Sequence, residues 1–453
     1  MTIAARLSKE VATTLGAAAL RDRLASGASR PAEVAEGLLE AIALKDGQLH
    51  AFSAVEPDLV RMQAAAAERR KGLGRPAGSL NGVPIALKDI IDTVDLPTAN
   101  GTVLDAGRRP RRDATIVARL KAAGAVILGK THTTELAYLS PGPTRNPHDT
   151  TRTPGGSSSG SAAAVAAGMA PAAIGTQTNG SIIRPASFCG VVGYKPSFGL
   201  IPRTGILRCS RTLDTVGVFG RTVEDVALVA DALIGFDGID PDVAPMAGFD
   251  LLATALSDPP AKPDIGFVRT PFWDRADAAT QQGFGDLVAF LGPRCVEVGL
   301  AESFGSSVDI LRQIMTVEMA VSLDPYARRG EDTLSPALTA AIGEGRRTTA
   351  FDYLKALEAR AALREAVHDA FHRFDVLLAP AAIGEAPVGD QTGDPVFATI
   401  WSLCGLPAVT LPLLEGENGL PVGVQLVGAW GSDARLLRTA RWLGESVLKG
   451  AAG

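Results

Sequence analysis

The sequence predicts an α/β protein in which helices cover a large, largely parallel sheet. Two observations carry that expectation. From about Gly82 onward, short β-rich runs alternate with segments of helical periodicity, the signature of a parallel sheet with crossover helices. The chain also has 453 residues, 46% of them hydrophobic and 21% charged, which is enough apolar material for a large buried core.

In chain order, Ala12 to about Arg70 places apolar residues at helical spacing, with polar interruptions at "GASRPAEV" and "KDGQLH", so several amphipathic helices are expected. We assign residues 1–75 to a helical N-terminal segment packed on a main body of residues 76–453, the whole forming one continuous domain. "VPIALKD" then reads as a strand, "ATIVARLKAAG" as a helix and "AVILGK" as a second strand. "GGSSSGSAAAVAAGM" opens with glycine and serine and continues as a helix of very small residues ending at Pro171. Its serine hydroxyls can cap exposed N–H groups, and its alanines permit close approach to a neighbour. "PAAIG" follows as a short strand. Proline, aspartate and glycine are dense from Asp237 to Lys262, which marks a long surface connection. Beyond it come the strand "KPDIGFV", helices around Ala350 to Phe371, and the strand-like runs "DVLLAP", "LPAVTLPL" and "VGVQLVG".

The bulk properties exclude several classes. A net charge of −5 argues against broad attraction to nucleic acid or an anionic membrane, and "RRPRR" at Arg108 to Arg112 reads as a solvated loop. Cys189, Cys209, Cys295 and Cys404 form no CxxC pair and sit near no histidine cluster, so neither a disulfide framework nor a metal site is expected. The small-apolar stretch Ala162 to Ile174 is too short and too interrupted to span a bilayer. Arg6, Lys9 and Glu10 precede any sustained apolar run, unlike a signal peptide, and a cytoplasmic protein is expected.

Two motifs are set aside. "GAVILGKT" (Gly124 to Thr131) matches the phosphate-loop pattern, but its four intervening residues are apolar and belong in a buried strand, which carries Gly124 and Lys130 too far apart to wrap one phosphate. "GSSSG" (Gly156 to Gly160) matches a nucleophile elbow with Asp375, His368 and His372 downstream, yet proline and glycines lead into it rather than a strand. A Ser-His-Asp hydrolase is therefore only a weak alternative.

A lysine can replace histidine as the base when burial favours its neutral form. Lys88 ends the apolar run "VPIALK", and two roles are open to it: pairing with Asp89 and Asp92, or activating a serine. A Gly-Gly-Ser-Ser loop and a second Gly-Ser loop, also at strand-to-helix junctions, favour the second role, because open α/β sheets place their sites there. Backbone N–H groups of Thr178, Asn179 and Gly180 can stabilise an oxyanion beside Ser181.

These pieces resemble the amidase signature family, with a likeness to its malonamidase-type members. The matching segments are "NGVPIALKDIIDT", "GAVILGKTHTTELA", "TRNPHD", "PGGSSSGSAAAVAAG", "IGTQTNGSIIRPASFCGVVGYKPSFG" and "GLPVGVQLVG", covering nearly the whole chain after about residue 30. The resemblance implies a single α/β/α sandwich with a large mixed, mostly parallel twisted sheet, and makes residues 76–453 the catalytic domain. It also implies a Ser–cis-Ser–Lys triad of Ser181, Ser157 and Lys88, hydrolysing an amide through an acyl-enzyme without metal or cofactor.

The chain departs from the family pattern at Gln177, where many members have Asp, at Asn179, where many have Gly, and at Arg184, which stands three residues after Ser181 rather than two. Asparagine tolerates positive φ, so Asn179 is expected to keep the oxyanion turn. Arg184 is either a bidentate clamp for a substrate carboxylate or a scaffold residue. The low aromatic content, 5%, gives no sign of a broad hydrophobic channel. The leading expectation is an amidohydrolase acting on a small, carboxylate-bearing amide. The alternative is the catalytic A-type subunit of a glutamine-dependent amidotransferase. A small-molecule amide partner is expected, with no nucleic acid and no membrane, and a homodimer or an accessory subunit is compatible with the sequence.

Overall fold

The computed structural model describes residues 11–72, 78–245 and 250–451. The expected boundary at residue 75 and the leading residues Arg6, Lys9 and Glu10 lie outside them. The first half of the chain contributes strands β1 (Phe52–Ala54), β2 (Pro84–Lys88), β3 (Val126–Thr131), β4 (Ala172–Gln177), β5 (Val192–Lys195) and β6 (Thr215–Gly220). The second half adds β7 (Ile265–Val268), β8 (Cys295–Val298), β9 (Val376–Pro380), β10 (Ala408–Glu415) and β11 (Pro421–Val427). They form one 11-stranded sheet in the order β1-β3-β2-β4-β6-β5-β10-β11-β9-β7-β8.

The sheet is mixed, as expected, but not mostly parallel: among the described residues six strand pairs are antiparallel and four parallel, the parallel ones concentrated in two wings. β2 runs parallel to both β3 and β4, and β7 runs parallel to both β8 and β9. Between the wings β4, β6, β5, β10, β11 and β9 pair antiparallel in succession. The physical reason is visible in the connections. β10 and β11 are joined by the short Gly416–Leu420 turn, too short for the crossover that a parallel pair requires.

Both faces of the sheet are covered. In β9, Val376 and Leu378 join the large cluster that also holds Leu20, Leu38 and Ile85, whereas Leu377 and Ala379 join a second cluster around Trp401 and Leu403. Alternate side chains of one strand therefore serve cores on opposite faces, the pattern of a sandwich. Each fully buried valine or leucine among them contributes ~1.5–3 kcal/mol.

The N-terminal helices Ala17–Ser26, Pro31–Leu49 and Pro57–Gly72 pack into the large cluster together with β2, β3 and the C-terminal helix Asp433–Ala451. Gly27 ends the first of them in the left-handed conformation and Pro31 starts the second. The expected interruption at "KDGQLH" falls only at its last residue. The helix runs through Asp46 and Gly47 to Leu49, and the left-handed His50 ends it, because Asp46 accepts the N–H groups of Ala51 and Phe52 and turns the chain into β1. The Asp237–Lys262 connection also contains more structure than expected. Asp250 accepts the N–H of Ala253 and caps a helix over Leu251–Leu256, which buries Leu251 and Ala255.

Candidate active site

The carboxyl ends of three neighbouring parallel strands, β3, β2 and β4, converge on one place. β2 is buried at every position and ends in Lys88, whose side chain is wholly enclosed. The chain leaving β3 donates the Thr134 N–H to the Ser157 carbonyl. β4 ends at Gln177, four residues before Ser181.

Lys88 Nζ lies 2.7 Å from Ser157 Oγ and donates to Thr176 Oγ1 at 3.0 Å. It does not pair with Asp89 or Asp92. Asp89 lies beside Lys130 at 3.5 Å, and Asp92 pairs with Arg108. Burial pulls the Lys88 pKa from 10.5 to about 7, with Cys209 and Asp214 opposing. An amine at that value exchanges protons readily near neutrality.

Ser157 follows a tight loop. Gly155 has a φ of +79°, and a Cβ there would stand 2.9 Å from the Pro185 Cα, so only glycine fits. The Gly156–Ser157 peptide bond is cis. The neighbouring serines are not the helix caps expected of them. Ser158 makes no cap bond to the Ser159–Ala166 helix; its hydroxyl instead donates to Thr176 O and accepts from Thr176 N, while Ser161 donates to Ile174 O. These bonds fasten the loop to β4, which sets Ser157 beside Lys88.

Ser181 sits in the turn between β4 and the Ile183–Cys189 helix and lines a cavity of about 410 Å³ with Thr178, Asn179 and Arg184. The left-handed position of this turn is Gly180, at a φ of +82°, and not Asn179. Asn179 therefore replaces glycine without strain, and its side chain accepts from Thr399 Oγ1 at 3.1 Å. Gln177, where an aspartate was the family expectation, both accepts and donates. Its Oε1 accepts the N–H groups of Ile182 and Ile183 at 2.8 and 3.0 Å, and its Nε2 donates to Ser402 Oγ at 3.0 Å.

Arg184 is 2% exposed. Its Nε donates to Thr392 O at 2.6 Å and its Nη2 to Gly156 O at 2.7 Å, so it holds the carbonyl of the cis peptide that carries Ser157. Nε and one N–H of Nη2 are engaged with the scaffold, so the side-on face of the guanidinium is not free for a carboxylate. Only Nη1 of this guanidinium lacks a partner among the described residues. Burial lowers the Arg184 pKa to about 10, with Asp394 opposing.

Two supporting residues were not legible as such. Thr176 stands one residue before the end of β4 and accepts from Lys88 Nζ, although the β2–β4 register, which sets Leu87 opposite Ile174, does not align the two residues. Asp214, just before β6, accepts from Thr178 Oγ1 at 2.6 Å and from the N–H groups of Cys209 and Ser210. Burial raises its pKa, opposed by those bonds, and no sequence motif pointed to it. A cavity wall also comes from the segment holding Leu136 and Ala137, both in the left-handed region although neither is glycine. Each costs ~1–3 kcal/mol, and the burial of Leu136 among Met319, Leu323 and Leu338 offsets it.

The serine–histidine alternative fails on geometry. His368 and His372 are exposed at the end of the Ala350–His368 helix and just beyond it, and Ser158 is committed to the β4 backbone. "GAVILGKT" is strand β3 with its preceding turn, and Lys130 donates to Ile91 O and Thr98 Oγ1. Among the described residues no helix is long and apolar enough to cross a membrane.

Comparison with known proteins agrees with this architecture. The Amidase family model matches residues 33–437. The chain is 36% identical to a glutamyl-tRNA(Gln) amidotransferase subunit of Anaeromyxobacter sp. (strain K), an alignment covering 93% of this chain and 94% of that one. It is 31% identical, at a TM-score of 0.89 over 96% of this chain and 98% of the other, to a chain of a vestigial protein complex that bears on the origins of an s-triazine catabolic enzyme. To the peptide amidase of Stenotrophomonas maltophilia it is 30% identical at a TM-score of 0.85, over 96% of this chain and 97% of that one. The chain belongs to the amidase family.

Proposed function

We propose that the chain hydrolyses a carboxylic amide through an acyl-enzyme on Ser181, with Ser157 as proton relay and Lys88 as base. The observation that supports this most is the Lys88 amine, drawn to a pKa of about 7 by burial and 2.7 Å from Ser157 Oγ. Neutral Lys88 donates to Thr176 and so presents its lone pair to the Ser157 hydroxyl. Ser157 gives its proton to Lys88 and takes the Ser181 proton as Ser181 Oγ bonds to the carbonyl carbon. The N–H groups around Thr178, Asn179 and Gly180 stabilise the oxyanion, with Thr178 anchored by Asp214. Collapse breaks the C–N bond, Ser157 returns a proton to the departing amine, and water attacks the ester by the same relay to release the acid.

A second reading is favoured by the curated relatives, which are glutamyl-tRNA(Gln) amidotransferase subunits. In it, the same chemistry releases ammonia from glutamine for a partner protein. That reading has stronger support from similarity than a free-standing hydrolase of small carboxylated amides. The two share every step at Ser181. Ammonia release by the isolated chain, measured across glutamine, malonamate and neutral aliphatic amides with Ser181→Ala as control, tests the shared chemistry. Release by wild type and loss in the variant is the expected outcome, and undiminished release by Ser181→Ala would reject it.

A further inference from the structure

The cavity beside Ser181 is lined by one stripe of the Ser307–Ser322 helix: Val308, Leu311, Arg312, Met315 and Met319. The spacing keeps these side chains on one helix face. Tyr138 and Leu139 also line it. The low aromatic content gave no sign of an apolar channel, because this wall is built from aliphatic and thioether side chains instead.

The charges of the cavity are one-sided. Its lining includes Arg184 and Arg312 and no aspartate or glutamate. Asp309, near Arg312, is exposed to solvent, and three other acids of this region are engaged. Asp214 holds Thr178 and two backbone N–H groups. Asp394 caps Val396 and pairs with Arg275, and Glu344 pairs with Arg312 at 2.6 Å. An ammonium group entering here would lose its hydration and meet the buried Arg184 guanidinium with no carboxylate in the lining, while Arg312 is exposed and already paired with Glu344. An apolar skeleton would meet Leu311 and Met315 and displace water from them.

We propose that the acyl donor is an amide whose acyl skeleton is apolar and carries no ammonium group, so that free glutamine and other α-amino acid amides are poor substrates. The inference rests on the amide-hydrolysis reading above and selects against the glutamine-dependent form of it. Met315 is its specificity-determining residue, half-buried at the middle of the stripe.

The test compares L-glutamine with glutaramate, which has the same carbon chain and terminal carboxylate but no α-ammonium, and with hexanamide. We expect kcat/KM for both glutaramate and hexanamide to exceed that for glutamine at least ~30-fold. We expect Met315→Glu to narrow the glutaramate-to-glutamine ratio at least ~5-fold, by giving the ammonium a partner. Calorimetric binding of hexanamide, glutaramate and glutamine to Ser181→Ala repeats the comparison without turnover and separates the two claims. Tight hexanamide binding with no wild-type turnover would reject the hydrolysis reading and keep the cavity assignment. Glutamine bound or turned over as well as glutaramate would overturn the inference, even with Ser181 fully active.

Discussion

In the proposed mechanism the protonation of Lys88 sets the pH dependence of acylation. A lysine at its ordinary value of 10.5 is neutral in about one molecule in 3,000 at pH 7, whereas Lys88, at about 7, is neutral in about half. The difference corresponds to ~5 kcal/mol against the ammonium form, the cost of enclosing that charge with two hydroxyl partners and no adjacent carboxylate. Only the neutral amine can take the Ser157 proton. The acylation rate therefore rises about tenfold per pH unit below pH 7 and levels off above it. Release of p-nitroaniline from an acyl p-nitroanilide under single-turnover conditions, from pH 5 to 9, measures this directly. Lys195 is a necessary control, because burial draws it to about 7 as well, yet its Nζ donates to Pro196 O. Lys195→Met should leave the inflection in place. A rate that is flat between pH 5 and 7, or that keeps rising toward pH 10, would refute the assignment of Lys88 as the base.

The same burial has a consequence for stability. Because the folded pKa of Lys88 lies below its unfolded value, the penalty is fully present below pH 7 and fades as pH rises toward 10.5. Lys88→Met should abolish acylation yet raise the unfolding free energy at pH 6 by ~1–3 kcal/mol after the loss of two hydrogen bonds, with a smaller gain at pH 10, as read by urea denaturation. Arg184→Met should destabilise the fold by ~2–4 kcal/mol, since it leaves the Thr392 and Gly156 carbonyls unpaired. If Nη1 also contacts substrate, this variant raises KM for carboxylated amides more than for neutral ones, and equal effects would assign Arg184 to the scaffold alone. Gln177→Leu should cost ~2–4 kcal/mol by stripping the acceptor from Ile182 and Ile183, and a thermal shift within error of wild type would contradict that role.

Lys88, Ser157 and Ser181 were legible because each carries a local anomaly: an amine ending a buried strand, a double glycine before serines, and a glycine turn after a strand. The long strands β2, β3, β9, β10 and β11 were legible from their apolar runs. β1 and β8 were not. They are three and four residues long at the two edges of the sheet, and their pairing with β3 and β7 is set by tertiary contact. Thr176 and Asp214 act through neighbours brought together only by folding. The cavity stripe from Val308 to Met319 reads in sequence as the inner face of any amphipathic helix, so nothing separates a substrate wall from a core contact. Arg184 was noticed for its spacing, but its two backbone carbonyl partners lie 28 and 208 residues away.

The proposed chemistry stands or falls on Ser181 carrying the acyl group through the Ser157–Lys88 relay. Mass spectrometry of the protein, acid-quenched after mixing with hexanamide and digested to peptides, locates that group. An acyl adduct is expected on the peptide containing Ser181, absent in Ser181→Ala and strongly diminished in Lys88→Ala. An adduct on Ser157 or Ser158, or one that persists in Ser181→Ala, would contradict the assignment.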